Sequence, residues 1–179
     1  ETESALPAGE MYSYLTGEPV SETIGKQRPY AIMINNIETS LPQSGVSQAE
    51  MIYEAQVESG ITRLMAVFQD VDNIEKIGSI RSARHYYIDF ANDNDAIYVH
   101  YGQSKYALSR IEDDNIMTIH GLSGYESKVF YRSSDRKAPH NVYTTGKMLA
   151  EGLEVTGLTR DYPAGYTPRL QFNHVDTEL

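Results

Sequence analysis

The 179 residues include neither cysteine nor tryptophan. Without thiols there is no disulfide, no thiolate nucleophile and no cysteine-held zinc or iron–sulfur centre. No apolar run approaches the roughly 18 residues that a membrane-spanning helix needs. Positive charge is scarce as well: 15 Lys and Arg stand against 25 Asp and Glu, a formal net charge of -10. Phosphate backbones select a basic face, so this balance argues against a nucleic-acid partner, though not against one local basic pocket. The Gly-rich Walker loop, the His-Glu-x-x-His pattern and the Gly-x-Ser-x-Gly elbow are all missing.

What is present suits one soluble domain, with 40% hydrophobic and 22% charged residues. Fourteen Tyr supply flat, amphipathic surface that fits interfaces and sugar-type ligands, the plainer reading being rings that pack half-buried. Residues 1–28 are polar and broken by Pro7, Gly9, Gly17, Pro19 and Gly25, which reads as a linker with short extended pieces. The polar start Glu1-Thr-Glu-Ser4 reads as a mature chain trimmed of an export segment. The α/β domain is expected over residues 29–156. The tail 157–179, with Pro163, Gly165 and Pro168, reads as a linker toward a further C-terminal domain.

Within the domain, Tyr30–Asn35 and Ile61–Phe68 are short, bounded apolar runs and read as buried strands. Ser47–Glu50 has capping-box spacing but is followed by strand formers, giving one helical turn and then a strand from Met51 to Val57. Lys76–Ile80 is expected to pair back on Ile61–Phe68 as a hairpin. A helix from Ser82 to about Asn92, a strand over Asp95–His100, a helix over Gln103–Glu112 and a short strand over Ile116–Ile119 follow. A polar loop from Tyr131 to His140 leads to a helix near Thr145–Glu154. Strands alternating with helices predict an α/β (mixed α+β) fold, a central mixed sheet flanked by helices.

Three clusters carry candidate chemistry. Arg81 and Arg84, in Ile80-Arg-Ser-Ala-Arg84, fall where a strand passes into a helix. There, free N–H groups and two planar guanidinium forks suit a phosphate or carboxylate. The bland alternative is pairing with Asp89 or Asp93. His100 and Gln103 flank Gly102 at a second strand end, where ligands collect in open α/β sheets, although a lone strand-end His is more often structural. Arg132, Arg136, His140 and Asn141 lie in the polar loop, whose alternative is a solvated charged surface. Arg63 interrupts an apolar strand and needs a partner; an ion pair with Glu54 or Glu58 is expected, ligand contact being the alternative. His85, His100, His120 and His140 are too scattered to predict a metal site. Asp70 and Asp72 read as a solvated turn rather than a cation site.

Several of these residues sit in motifs that resemble the N-terminal domain of YerB-like bacterial lipoproteins. The motifs are Arg28-Pro29 with its strand, Pro42-Gln-Ser-Gly45, Tyr53-Glu54, Gly60-Ile-Thr-Arg63, Ile80-Arg-Ser-Ala-Arg84 and Ala138-Pro-His-Asn141, spanning Arg28 to Thr145. The resemblance implies export, a lipid anchor upstream of this chain, a position on the outer face of the bacterial cell membrane, and a second domain downstream. A partial likeness to LytR-CpsA-Psr phosphotransferases, in Ser79-Ile-Arg81 and the later Tyr101-Gly102, would imply that fold and Mg²⁺-assisted handling of a polyprenyl pyrophosphate. Arg84 and Arg63 stand where that pattern has acids, which weakens its metal-binding half. Three readings follow: an anion-binding envelope domain, a divergent phosphotransferase or hydrolase on a lipid-linked glycan with His100 or His140 as acid or base, and a Tyr-rich protein-interaction module.

Overall fold

A computed structural model describes residues 6–169. The elements are β1 (Glu10–Tyr12), β2 (Pro19–Ser21), α1 (Glu22–Gly25), β3 (Tyr30–Asn35), β4 (Met51–Gln56), β5 (Thr62–Phe68), β6 (Ile77–Gly78), α2 (His85–Asp93), β7 (Ile97–Tyr101), α3 (Lys105–Asp113), β8 (Thr118–Gly121), α4 (Glu126–Val129), β9 (Tyr131–Arg132), β10 (Val142–Thr144) and α5 (Gly146–Thr156). Five strands form a central mixed sheet in the order β4-β5-β3-β7-β8. Its β4–β5 and β5–β3 pairs are antiparallel, and β3–β7 and β7–β8 are parallel.

β3 is buried at every position, as a central strand covered on both faces must be. Its alternation divides the core. Tyr30, Ile32 and Ile34 pack with Phe68, Val99, Ile119 and Leu149 on the face covered by α4, α5 and a small sheet β6-β10-β9. Ala31 and Met33 pack with Met65, Val67, Tyr98, Tyr87 and Ile88 beneath α2 and α3. Each fully buried aliphatic side chain of this kind contributes roughly 1.5–3 kcal/mol. Gly146 lets α5 start against the turn that follows β5: a Cβ there would meet the Val71 carbonyl oxygen at 1.9 Å.

Four local expectations need correction. Ile77–Gly78 does not return to β5, both of whose edges are taken by β3 and β4; it pairs with β10 through Gly78 and Tyr143. The strand expected over Ile116–Ile119 starts two residues later, because Asn115 turns with φ 50° and Ile116 closes the turn on the Ile111 carbonyl. Where residues 1–28 read as a linker, β1, β2 and α1 pack on the domain. The buried Gln69 holds them, donating to the Ile24 and Gln27 carbonyls at 2.7 and 2.6 Å; residues 1–5 lie outside the described residues. The stretch after α5 does not run out of the domain either. Arg160 is buried and donates to the Arg28 carbonyl at 2.7 Å, and Tyr166 donates to the Asp95 carboxylate at 2.5 Å. Residues 157–169 are thus a docked strap, and residues 170–179 lie outside the described residues.

Candidate functional site

β3 and β7 pair only from Tyr30–Ile97 to Ile32–Val99. Beyond that point the parallel strands part, and residues 79–83 enter the gap. Asn35 N–H donates to the Ser79 carbonyl, Arg81 N–H to the Met33 carbonyl and Tyr101 N–H to the Arg81 carbonyl, at 2.9, 3.0 and 3.1 Å. The insertion continues as Ala83 N–H donates to the Gly102 carbonyl and Ser104 N–H to the Ala83 carbonyl. Gly102 takes φ +78° between β7 and α3, a left-handed turn that favours glycine. α2 and α3 therefore begin side by side at the carboxyl end of β7, with the positive ends of both helix dipoles facing the split.

Three arginines meet there. Arg63 lies opposite Asn35 in the β3–β5 register, is 3% exposed, and donates from Nη1 to the Ser82 carbonyl at 2.6 Å. Its backbone is pinned by Tyr87, whose hydroxyl accepts from the Ala55 N–H at 2.8 Å and donates to the Arg63 carbonyl. Arg84 donates to the Ala83 carbonyl at 2.8 Å and forms a two-pronged pair with Glu58, Nη2 to Oε2 at 2.8 Å. Arg81 donates from Nη1 to the Pro139 carbonyl at 3.3 Å, while its Nε is buried without an acceptor among the described residues.

The charges do not balance. Glu58 answers Arg84, and that hydrogen-bonded pair holds its carboxyl down at about 2. Glu54 instead accepts from Asn36 and Thr62, so the expected Glu54–Arg63 and Glu58–Arg63 pairs are both absent. Among the described residues no carboxylate lies within ion-pair distance of Arg63 or Arg81. Burial first, then the neighbouring Arg84 and Arg81 charges, bring Arg63 down to about 10. Burial and Arg84 likewise lower Arg81. Even so, both stay protonated at neutral pH.

Unpartnered polar atoms gather at the same place. Ser79 Oγ, Arg81 Nε and Gln103 Oε1 are buried without a hydrogen-bond partner among the described residues. Each leaves a desolvation cost uncompensated, and such groups in a native fold call for an explanation.

The remaining candidates divide. Asn35 Nδ2 donates to His140 Nδ1 at 2.9 Å, which puts the neutral ring's proton on Nε2 and draws the 133–141 loop over the split. Burial and the Arg81 charge lower the His140 pKa. Arg132 donates to Asn141 Oδ1 at 2.8 Å and stacks 5.2 Å from the Tyr101 ring centre. Arg136 is a clamp: its guanidinium reaches the Ser40 and Pro42 carbonyls, tying the 133–141 loop to the 36–45 loop. His100 is displaced from the expected role. It is 1% exposed, with Nδ1 on the Gly102 carbonyl and Nε2 on Thr118 Oγ1, both at 2.9 Å, and burial pushes its pKa down to about 3. A neutral, fully engaged ring neither holds an anion nor moves a proton. Asn35 was missed, a polar residue closing an all-apolar strand being the available signal; Glu58 was expected on Arg63 and pairs with Arg84 instead.

The Mg²⁺ implied by the phosphotransferase likeness finds no suitable donors. Hard cations take several oxygen ligands. The one carboxylate at the split is held by Arg84, and no group of three or more His, Cys, Asp or Glu among the described residues is arranged to hold a metal.

Residues 15–159 match the family model described as "Protein of unknown function (DUF3048) N-terminal domain". The chain belongs to the DUF3048 family. Among curated proteins it is similar to "Putative lipoprotein YerB" of Bacillus subtilis (strain 168), at 34% identity over 159 residues, which is 88% of this chain and 47% of that protein. Among solved structures it is similar to the crystal structure of YerB protein from Bacillus subtilis, with a TM-score of 0.78 and 34% identity over 84% of this chain and 52% of that chain. The chain thus spans about half the length of the relatives it matches. The matched DUF3048 segment contains every arginine of the split-strand site, whereas Arg160, Tyr162 and Tyr166 of the strap lie past its end.

Proposed function

We propose that this DUF3048 domain binds an anionic group, a phosphate, pyrophosphate or carboxylate, in the gap where β3 and β7 part. The observation that supports this is the surplus of guanidinium charge: among the described residues the one carboxylate paired at Arg63, Arg81 and Arg84 is Glu58, on Arg84, and Arg81 Nε is buried with no acceptor. An oxyanion supplies the acceptors that the fold withholds, and guanidinium forks match its oxygens. Gln103 flanks the anion, while His140 Nε2–H and Arg132 reach it from the overlying loop. The ligand is a component of the cell envelope, encountered by a domain held at the outer membrane face through a lipid anchor; the name of the Bacillus relative supports that location.

Titration calorimetry with inorganic pyrophosphate tests the reading. Binding is expected to weaken as salt rises, and Arg81→Ala is expected to raise Kd by at least about tenfold, about 1.4 kcal/mol. Absence of binding to the wild type, or an unchanged Kd in Arg81→Ala, overturns it.

A further inference from the structure

We infer that the ligand of this site is a sugar phosphate, its hexose ring lying on an aromatic shelf that begins one residue beyond Arg84. The inference rests on the anion-binding reading and extends it to the rest of the ligand. Because α2 and α3 start together at the split, exposed side chains of their first turns flank it, Lys105 and Tyr106 on α3 and His85 on α2. His85 follows Arg84, and Tyr106 follows Ser104 by two residues, its Cα within roughly 11 Å of that of Gln103. The His85 and Tyr106 rings meet edge to face, 6.0 Å apart at 67°, and Tyr86 backs His85 at 5.1 Å and 78°. The Tyr86 hydroxyl donates to the Gln56 carbonyl at 2.7 Å, which anchors the ring behind His85.

Tyr106 is 73% exposed, and the buried residue of that helical turn is its neighbour Ala107, so the core makes no use of the ring. His85 and Tyr106, with Ser109 and Arg110, line a groove of about 450 Å³, within the roughly 300–1,000 Å³ of small-molecule sites. Arg110 adds no free charge, being paired with Asp89 at 2.8 Å and Asp114 at 3.0 Å. The groove is therefore aromatic with its one arginine paired inside the fold, while the adjoining split is cationic, which divides the complementary ligand into an anionic end and an uncharged body.

The geometry favours a sugar over a nucleobase. Two rings at 67° leave one open face instead of a parallel slot, and a hexose ring offers one face of C–H groups with hydroxyls around its rim. Ser109 and His85 line the same groove with polar atoms that such hydroxyls can meet, the Ser109 hydroxyl itself donating to Asp113 at 3.2 Å.

The test compares Kd for inorganic phosphate, a hexose 1-phosphate and a nucleoside monophosphate, on the wild type and on Tyr106→Ala, Tyr106→Phe and Arg81→Ala. The expected result is a hexose 1-phosphate bound at least about tenfold more tightly than phosphate. Tyr106→Ala should abolish that advantage and Tyr106→Phe retain it, with the phosphate Kd unchanged in both. Phosphate binding that is lost in Arg81→Ala but gains nothing from a hexose overturns the shelf and leaves the anion site standing. A nucleoside monophosphate preferred over the hexose 1-phosphate also overturns it. If none of the three binds the wild type, the anion-binding reading fails and the shelf with it.

Discussion

At the end of the sheet where β3 begins, Arg160 lies 4.7 Å from the Tyr30 ring centre and donates to the Arg28 and Gln69 carbonyls. Beside it, Arg28 donates to the Asp95 carbonyl at 3.1 Å and faces the stacked rings of Tyr162 and Tyr166. The Asp95 carboxylate accepts from Tyr166 Oη and from Arg169 N–H. At the opposite end, where β3 stops, Arg63 and Arg81 have carbonyl contacts but, among the described residues, no carboxylate, and Arg81 Nε has no acceptor there. The same side chain thus serves two ends of one strand differently. The first cluster is closed by the protein itself and fastens the strap. The second is left open, which is costly for stability and useful only if something outside the fold completes it.

The sharpest way to break this contrast is Arg160→Ala. Its loss leaves two carbonyls and the Tyr30 ring face without their partner, and unfolding in urea should show a destabilisation of about 3 kcal/mol. A change below about 1 kcal/mol would mean that the strap is a surface ornament.

A second test concerns His100, a group at the open end that the protein does satisfy. Its folded pKa of about 3 lies below the ordinary value of 6.5. Between those values the unfolded chain binds a proton that the native one refuses. The stability conferred by the neutral ring is therefore complete above pH 6.5 and falls as pH drops toward 3, by up to about 1.4 kcal/mol per pH unit. His100→Asn should flatten that slope in a series of denaturation curves, and an unchanged slope would place its origin elsewhere.

Much of the frame was legible in the residues themselves. Tyr30–Asn35, Ile61–Phe68 and Asp95–His100 are apolar runs of strand length, and they form β3, β5 and β7 nearly as expected. β6 was misplaced because a two-residue strand carries no period, and only the sheet shows that β5 has no free edge. The strap was hidden by Pro163, Gly165 and Pro168, whose loop chemistry says nothing about the anchors Arg160 and Tyr166 between and before them. Ile80-Arg-Ser-Ala-Arg84 was legible as a strand-to-helix passage, and it does lead from β6 into α2. That this segment wedges between β3 and β7 depends on backbone pairing of residues far apart in sequence. Arg63 looked like half of an ion pair because two acids were near in sequence; Glu58 turned to Arg84 instead. His100 looked available because strand-end histidines often are, and nothing local announced that the Gly102 carbonyl and Thr118 would occupy both nitrogens.

The central claim is that the open cluster gives up stability to hold charge for a ligand, and Arg63→Met measures it most directly. Urea unfolding of wild type and variant, each with and without pyrophosphate at about a hundredfold its wild-type Kd, separates the two roles. The account predicts that the variant without ligand stays within about 1 kcal/mol of wild type or exceeds it. Pyrophosphate should stabilise only the wild type, by about 2.7 kcal/mol. A variant that loses several kcal/mol and still gains the full stabilisation from pyrophosphate would contradict it.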